Sequence, residues 1–147
     1  MRALLQRVTE ASVSVDGEEI ARIGRGWLIL LGIARGDTEA VAEVLADRVA
    51  GLRCFEDAGG KANLSARELG AEMLVVSQFT LMADVSRGRR PGFTDAAPPE
   101  AARALVDHFA EALRRMGFTT RQGRFGAFMQ VRLTNDGPFT IWLVIGG

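Results

Sequence analysis

The residues best suited to chemistry lie in three short stretches. Ser77-Gln78-Phe79-Thr80 sets two hydroxyls and a carboxamide at the end of the apolar run Met73-Leu74-Val75-Val76. Polar side chains at the end of a buried strand cost free energy unless they find partners or face a pocket. They read either as locally satisfied strand-end residues or as a polar site floor. In the second reading Ser77 or Thr80 is a nucleophile or orienting group, and backbone N–H groups form an oxyanion hole. Arg87, Arg89 and Arg90 crowd the loop Ser86-Arg87-Gly88-Arg89-Arg90-Pro91-Gly92. Guanidinium groups so spaced suit a phosphate backbone, and a merely solvated loop has the same composition. The third stretch, Asn135-Asp136-Gly137-Pro138-Phe139-Thr140, separates Phe125–Thr134 from Ile141–Ile145. Asn, Asp and Gly tolerate positive φ and Pro fixes its own, so a tight reversal between paired strands is predicted. Gly137 and Pro138 would there hold bare amides and carbonyls in a rigid pose, useful to an active site and equally to an ordinary turn.

What is missing narrows the chemistry. The one histidine, His108, sits among Leu105, Val106, Phe109 and Leu113, which points to packing or a helix surface. The one cysteine, Cys54, excludes an internal disulfide and a cysteine-based zinc site and reads as a small core residue. The chain has no Gly-x-Ser-x-Gly elbow, P-loop or dinucleotide fingerprint. No cofactor and no metal is expected. An enzyme with this inventory lacks the usual histidine base and takes its proton transfer elsewhere, the substrate being one source.

The elements that must position these groups follow from pattern. Leu4, Leu5 and Val8 open a first strand, and Val13 and Val15 alternate with Ser12 and Ser14 before the hairpin signal Asp16-Gly17. Trp27–Ile33 is apolar on both faces and is predicted to be a central strand. A helix is predicted from Asp37 or Thr38 to about Leu52, with Val41, Val44, Leu45, Val49 and Leu52 on one stripe. Arg53-Cys54-Phe55 reads as a short strand, Asp57-Ala58-Gly59-Gly60 as a turn, and Ser65-Ala66-Arg67-Glu68 as a capping box. Glu72 to Met82 is predicted as one strand. The segment from Ala83 to Ala97 is longer than a structural connection usually needs, which favours a functional loop. Pro98-Pro99-Glu100 opens a second helix with the stripe Leu105, Phe109, Leu113 and Met116, ended by Gly117.

The 147 residues suffice for one domain with a real core. The order of elements predicts an α+β domain, residues 1–147, built on a mostly antiparallel or mixed sheet with two main helices. Formal net charge is zero, so bulk electrostatics do not announce a nucleic-acid binder, and Lys61 is the only lysine among the basic residues. No apolar run reaches membrane-span length, and Met1–Arg7 has no signal-peptide core. A cytoplasmic location away from membranes is expected.

Taken together, Ser77-Gln78-Phe79-Thr80-Leu81 and Asn135-Asp136-Gly137-Pro138-Phe139-Thr140 resemble the two signature motifs of the D-aminoacyl-tRNA deacylase family. The resemblance runs along essentially the whole chain. It includes Gln6-Arg7-Val8 with Ala11-Ser12-Val13, Lys61 with Asn63-Leu64, Arg87-Gly88 with Arg90-Pro91, and Gly123-Arg124-Phe125 with Met129-Gln130-Val131. Phe139 departs from the family's usual Val, and Ala62 from its usual Met. The first departure puts fine substrate preference in doubt, not the reaction class.

The resemblance implies a barrel-like sheet and a homodimeric hydrolase that removes D-amino acids, and glycine, from mischarged tRNA. It implies a cis Gly137–Pro138 bond entering the partner subunit's site, where the fixed backbone excludes an L side chain. It implies an ester carbonyl near the N–H groups of Phe79 and Thr80, with Ser77 and Gln78 shaping the site. Water would be activated with help from the 2′-hydroxyl of the terminal adenosine, and in another view Thr80 is itself the nucleophile. Phe125 and Met129 would line the adenosine pocket, and Arg87, Arg89 and Arg90 would meet tRNA phosphates. Two other readings stay open: a nucleic-acid-binding module without catalysis, and an esterase for small molecules acting through Thr80 or Ser77.

Overall fold

The computed structural model describes residues 1–146. Its organising strand is β1 (Arg2–Val15), 14 residues long. Along one edge β1 pairs antiparallel with β2 (Glu18–Ile23) through its second half and with β3 (Gly26–Gly32) through its first. Asp16 and Gly17, with φ of 51° and 80°, make the reversal that their types predict. After β3 come α1 (Glu39–Gly51), then β4 (Arg53–Glu56) and β5 (Ala62–Ser65), which pair in a separate two-stranded sheet. The single-turn α2 (Ala66–Leu69) is started by the Glu68 carboxylate, which accepts from the Ser65 N–H at 2.7 Å, as the capping box predicts. The strand β6 (Glu72–Ser77) runs parallel to β3, and β7 (Thr120–Gln122), beyond α3 (Pro99–Arg115), runs parallel to β6. Finally β8 (Gln130–Val144) lies antiparallel along the other edge of β1.

The main sheet thus has the order β2-β1-β3-β6-β7 with β8 on β1, and β2 also approaches β6 and β7. It curls into a nearly closed barrel, and the fold is α+β. One face carries α1 and α3: Leu45, Val49, Phe109 and Leu113 pack with Trp27, Ile29 and Leu31. The inside of the curl is filled by Val8, Val13, Ile23, Leu28 and Leu74. Alternate residues of β3 therefore enter two cores, which is why this strand is apolar throughout. Each such fully buried side chain contributes about 1.5–3 kcal/mol.

Two expectations are corrected. Asn135–Thr140 is not a reversal between paired strands; it lies within β8, and both flanks pair with β1. Gln6 faces Thr140 and Val8 faces Asn135, so residues 136–139 bulge out opposite the single residue Arg7. Turn-forming residue types report local φ, and a bulge uses the same φ values as a hairpin. The second correction concerns Glu72 to Met82. The strand stops at Ser77, and Phe79–Met82 is a 3-10 turn. The last ladder bond, Gln78 N–H to Leu31 O at 2.8 Å, exhausts the partner strand. Gly32 then leaves room for the turn, since a Cβ there would stand 3.0 Å from Leu81 Cβ and 3.1 Å from Gln78 O.

Candidate active site

The 3-10 turn creates a donor pair. A helix begins with N–H groups that have no acceptor inside it. Among the described residues neither the Phe79 nor the Thr80 N–H finds one elsewhere. The turn is held from behind: Arg2 Nη1 donates to Leu81 O at 2.7 Å. Gln78 Nε2 donates to Thr80 Oγ1, so the hydroxyl oxygen is already an acceptor. Phe79 is 57% exposed and meets Phe93 edge-on, with ring centroids 5.0 Å apart.

Beside this turn opens a cavity of about 630 Å³. Ser77, Gln78 and Phe79 form part of its wall, and Phe93, Phe125 and Met129 face them. The structure therefore brings together five of the residues singled out from sequence: Ser77, Gln78, Phe79, Phe125 and Met129. Thr80 is adjacent but its side chain turns toward Gln78, outside the wall. Phe125–Met129 precedes β8 as a turn, where the sequence pattern predicted strand. Among the described residues the wall contains no histidine, cysteine or carboxylate, and Arg35 is its one charged side chain. His108 lies in the helix layer, 2.9 Å from Glu43 Oε1.

Arg87, Arg89 and Arg90 are exposed on the loop after the turn and stay outside the cavity wall. Paired backbone bonds between Asp84 and Gly92, at 2.8 and 2.9 Å, pinch the base of that loop. Ser86, through its hydroxyl and then its N–H, holds the Asp84 carboxyl below its ordinary value.

Gly137 and Pro138 lie apart from the cavity. Ser77 is level with Leu31 and hence with Ala3 of β1, whereas the bulge stands opposite Arg7. With β3 and β1 between β6 and β8, strand rise and spacing put the bulge about 20 Å from Ser77 along the sheet. The Gly137–Pro138 bond is cis, and Gly137 has φ of 130°.

Arg7 fixes the bulge, a role the sequence pattern did not assign. Only 4% exposed, it donates from Nη1 to Cys54 O at 2.6 Å and from Nε to Asp136 O at 3.1 Å, and it lies 4.6 Å from the Phe139 ring centroid. Asn135 Nδ2 closes the base, donating to Arg7 O and Phe139 O at 2.9 and 3.0 Å. A Cβ on Gly137 would stand 2.8 Å from Arg7 Nη2. The available signal was a charge in alternation with Ala3 and Leu5, on the buried face of β1. Burying an arginine is costly unless its donors are satisfied, so such a residue marks a polar target nearby.

The family model for D-Tyr-tRNA(Tyr) deacylase matches residues 4–144. This chain belongs to that family. It is 60% identical over 143 residues to a D-aminoacyl-tRNA deacylase of Roseiflexus castenholzii, covering 97% of this chain and 91% of that one. It is 52% identical over 145 residues to one of Escherichia coli O81, covering 99% and 100%. Among solved structures, one described as c-Myc DNA unwinding element binding protein superposes with a TM-score of 0.94 at 44% identity, over 100% of both chains. A probable eukaryotic D-amino acid tRNA deacylase shares the fold, with a TM-score of 0.82 at 20% identity over 97% of both chains.

Proposed function

We propose that this chain is a hydrolase that cleaves the ester joining a D-amino acid, or glycine, to the 3′ end of tRNA. It would work as a homodimer in which Gly137–Pro138 of each subunit enters the partner's cavity. The observation that carries the reading is the separation of parts. The cavity wall includes Phe79, whose N–H has no acceptor among the described residues, and no side-chain base, and the Gly137–Pro138 backbone stands about 20 Å away along the sheet of the same chain. A second copy would unite them, and their separation on one chain supports that reading.

In the assembled site the N–H groups of Phe79 and Thr80 receive the developing oxyanion of the ester carbonyl. The Thr80 hydroxyl is a poor nucleophile, since its partner Gln78 Nε2 is a donor and cannot take its proton. Water is the nucleophile, assisted by the 2′-hydroxyl of the terminal adenosine. Ser77 and Gln78 shape the floor, Phe125 stacks on adenine and Met129 packs beside it. The Gly137 and Pro138 carbonyls of the partner face the substrate's α-amino group and occupy the side where an L side chain would project. Arg87, Arg89 and Arg90 contact tRNA phosphates, so binding weakens as salt rises. No helix of the described residues is long and apolar enough to cross a membrane, and the proposed place of action is the cytoplasm.

The test is turnover of matched D- and L-aminoacyl-tRNA. Fast hydrolysis of the D form with negligible hydrolysis of the L form is expected. Binding of both without turnover would instead support a nucleic-acid-binding module, and cleavage of simple esters without tRNA would support a small-molecule esterase.

A further inference from the structure

Phe125 has a contact that the cavity does not explain. The guanidinium carbon of Arg103, in the first half of α3, lies 5.1 Å from the Phe125 ring centroid. Phe125 and Ala102 belong to the cavity wall, and Arg103 does not. The guanidinium therefore reaches the ring from a residue outside the cavity wall.

The arginines near the end of α3 have other employment. Arg114 donates to Thr120 O and Gln122 Oε1 and pairs with Glu111, and Arg115 pairs with Glu43. Among the described residues Arg103 has no hydrogen-bond acceptor and no carboxylate partner. A guanidinium lying over an aromatic ring keeps its edge N–H donors free, in the fork that fits two phosphate oxygens. Arg103 thus combines a stacked face, an unoccupied edge and a place beside the cavity.

We propose that Arg103 is a positioning residue that fixes the plane of Phe125 as a platform for the terminal adenine and donates its edge to a phosphate of the incoming RNA strand. This rests on the reading of the cavity as the seat of the tRNA 3′ end. The two roles are separable by substitution. Lysine keeps the charge and loses the flat stacking face, whereas methionine keeps much of the unbranched apolar stem and loses both. Arg103 is exposed, and both replacements are good helix formers, so α3 is retained in each variant.

The probe is a fluorescently labelled RNA minihelix ending in CCA-3′, titrated against wild type, Arg103→Lys and Arg103→Met at several salt concentrations. Arg103→Met is expected to weaken binding about threefold to tenfold and to reduce the salt slope by about one. Arg103→Lys is expected to retain the slope while still binding more weakly than wild type. With D-aminoacyl-tRNA, both variants should raise KM and leave kcat within about twofold.

Arg103→Met binding the minihelix as wild type does would overturn the proposal, as would full restoration of affinity by lysine or a loss confined to kcat. Wild-type protein that binds the minihelix but leaves D-aminoacyl-tRNA intact would sink the deacylase reading alone, and the Arg103 comparison would still be decided by binding. Wild-type protein that fails to bind the minihelix would overturn both.

Discussion

The bulge opposite Arg7 and the turn at Phe79–Met82 are built on opposite plans. At the bulge the principal polar atoms are engaged: Arg7 bonds Cys54 O and Asp136 O, and Asn135 bonds Arg7 O and Phe139 O. At the turn, the Phe79 and Thr80 N–H groups have no acceptor among the described residues. The first arrangement makes a backbone rigid; the second leaves donors open to an acceptor from outside. A site that judges shape by exclusion needs rigidity in the excluding part, because a yielding wall would admit the wrong enantiomer. A site that stabilises an oxyanion needs donors that are fixed but unoccupied.

The sharpest way to break this contrast is at the turn. Replacing the Thr80 peptide N–H by an ester oxygen, through incorporation of the α-hydroxy acid, removes a donor and little else. Turnover of D-aminoacyl-tRNA is expected to fall about 10²–10³-fold. Thr80→Ala, which keeps the N–H, should cost less than about tenfold. The opposite ranking, or a trapped acyl-Thr80, would make the hydroxyl the nucleophile and end the backbone reading.

Next in size is Arg7→Met, which leaves Cys54 O and Asp136 O without their donor. Urea unfolding should show a loss of about 2–4 kcal/mol. Hydrolysis of L-aminoacyl-tRNA should rise relative to the D form as the bulge loosens. Unchanged stability would show that the guanidinium is not what holds the bulge.

The smallest effect is expected from Phe139→Val, which removes the ring beneath Arg7 and beside Trp27. Phe139 is half-buried, so the cost should be about 1–2 kcal/mol, measured in the same unfolding experiment. An equal loss in the Arg7→Met background would mean that the two residues act independently.

Much of the framework was legible from residue types. The Asp16-Gly17 reversal, the Ser65–Glu68 capping box, the double-faced strand β3 and the stripe of α3 all depend on local φ preference or on burial periodicity. Those signals survive in a one-dimensional pattern. The misreadings share a different cause. Whether Asn135–Thr140 reverses the chain depends on which strand each flank pairs with, and β1 is long enough to take both. Whether the run from Glu72 continues past Ser77 depends on where its neighbour β3 ends. Arg103 was invisible for the same reason, since its partner Phe125 lies far along the chain and meets it only when α3 docks.

The sequence by itself determined the α+β class and the two long helices, because burial and backbone preference are written residue by residue. The tertiary structure decided that Gly137–Pro138 sits on a bulge clamped by a buried arginine, and that this bulge stands far from the cavity on its own chain. Strand partnership is a relation between distant segments, and no local pattern encodes it.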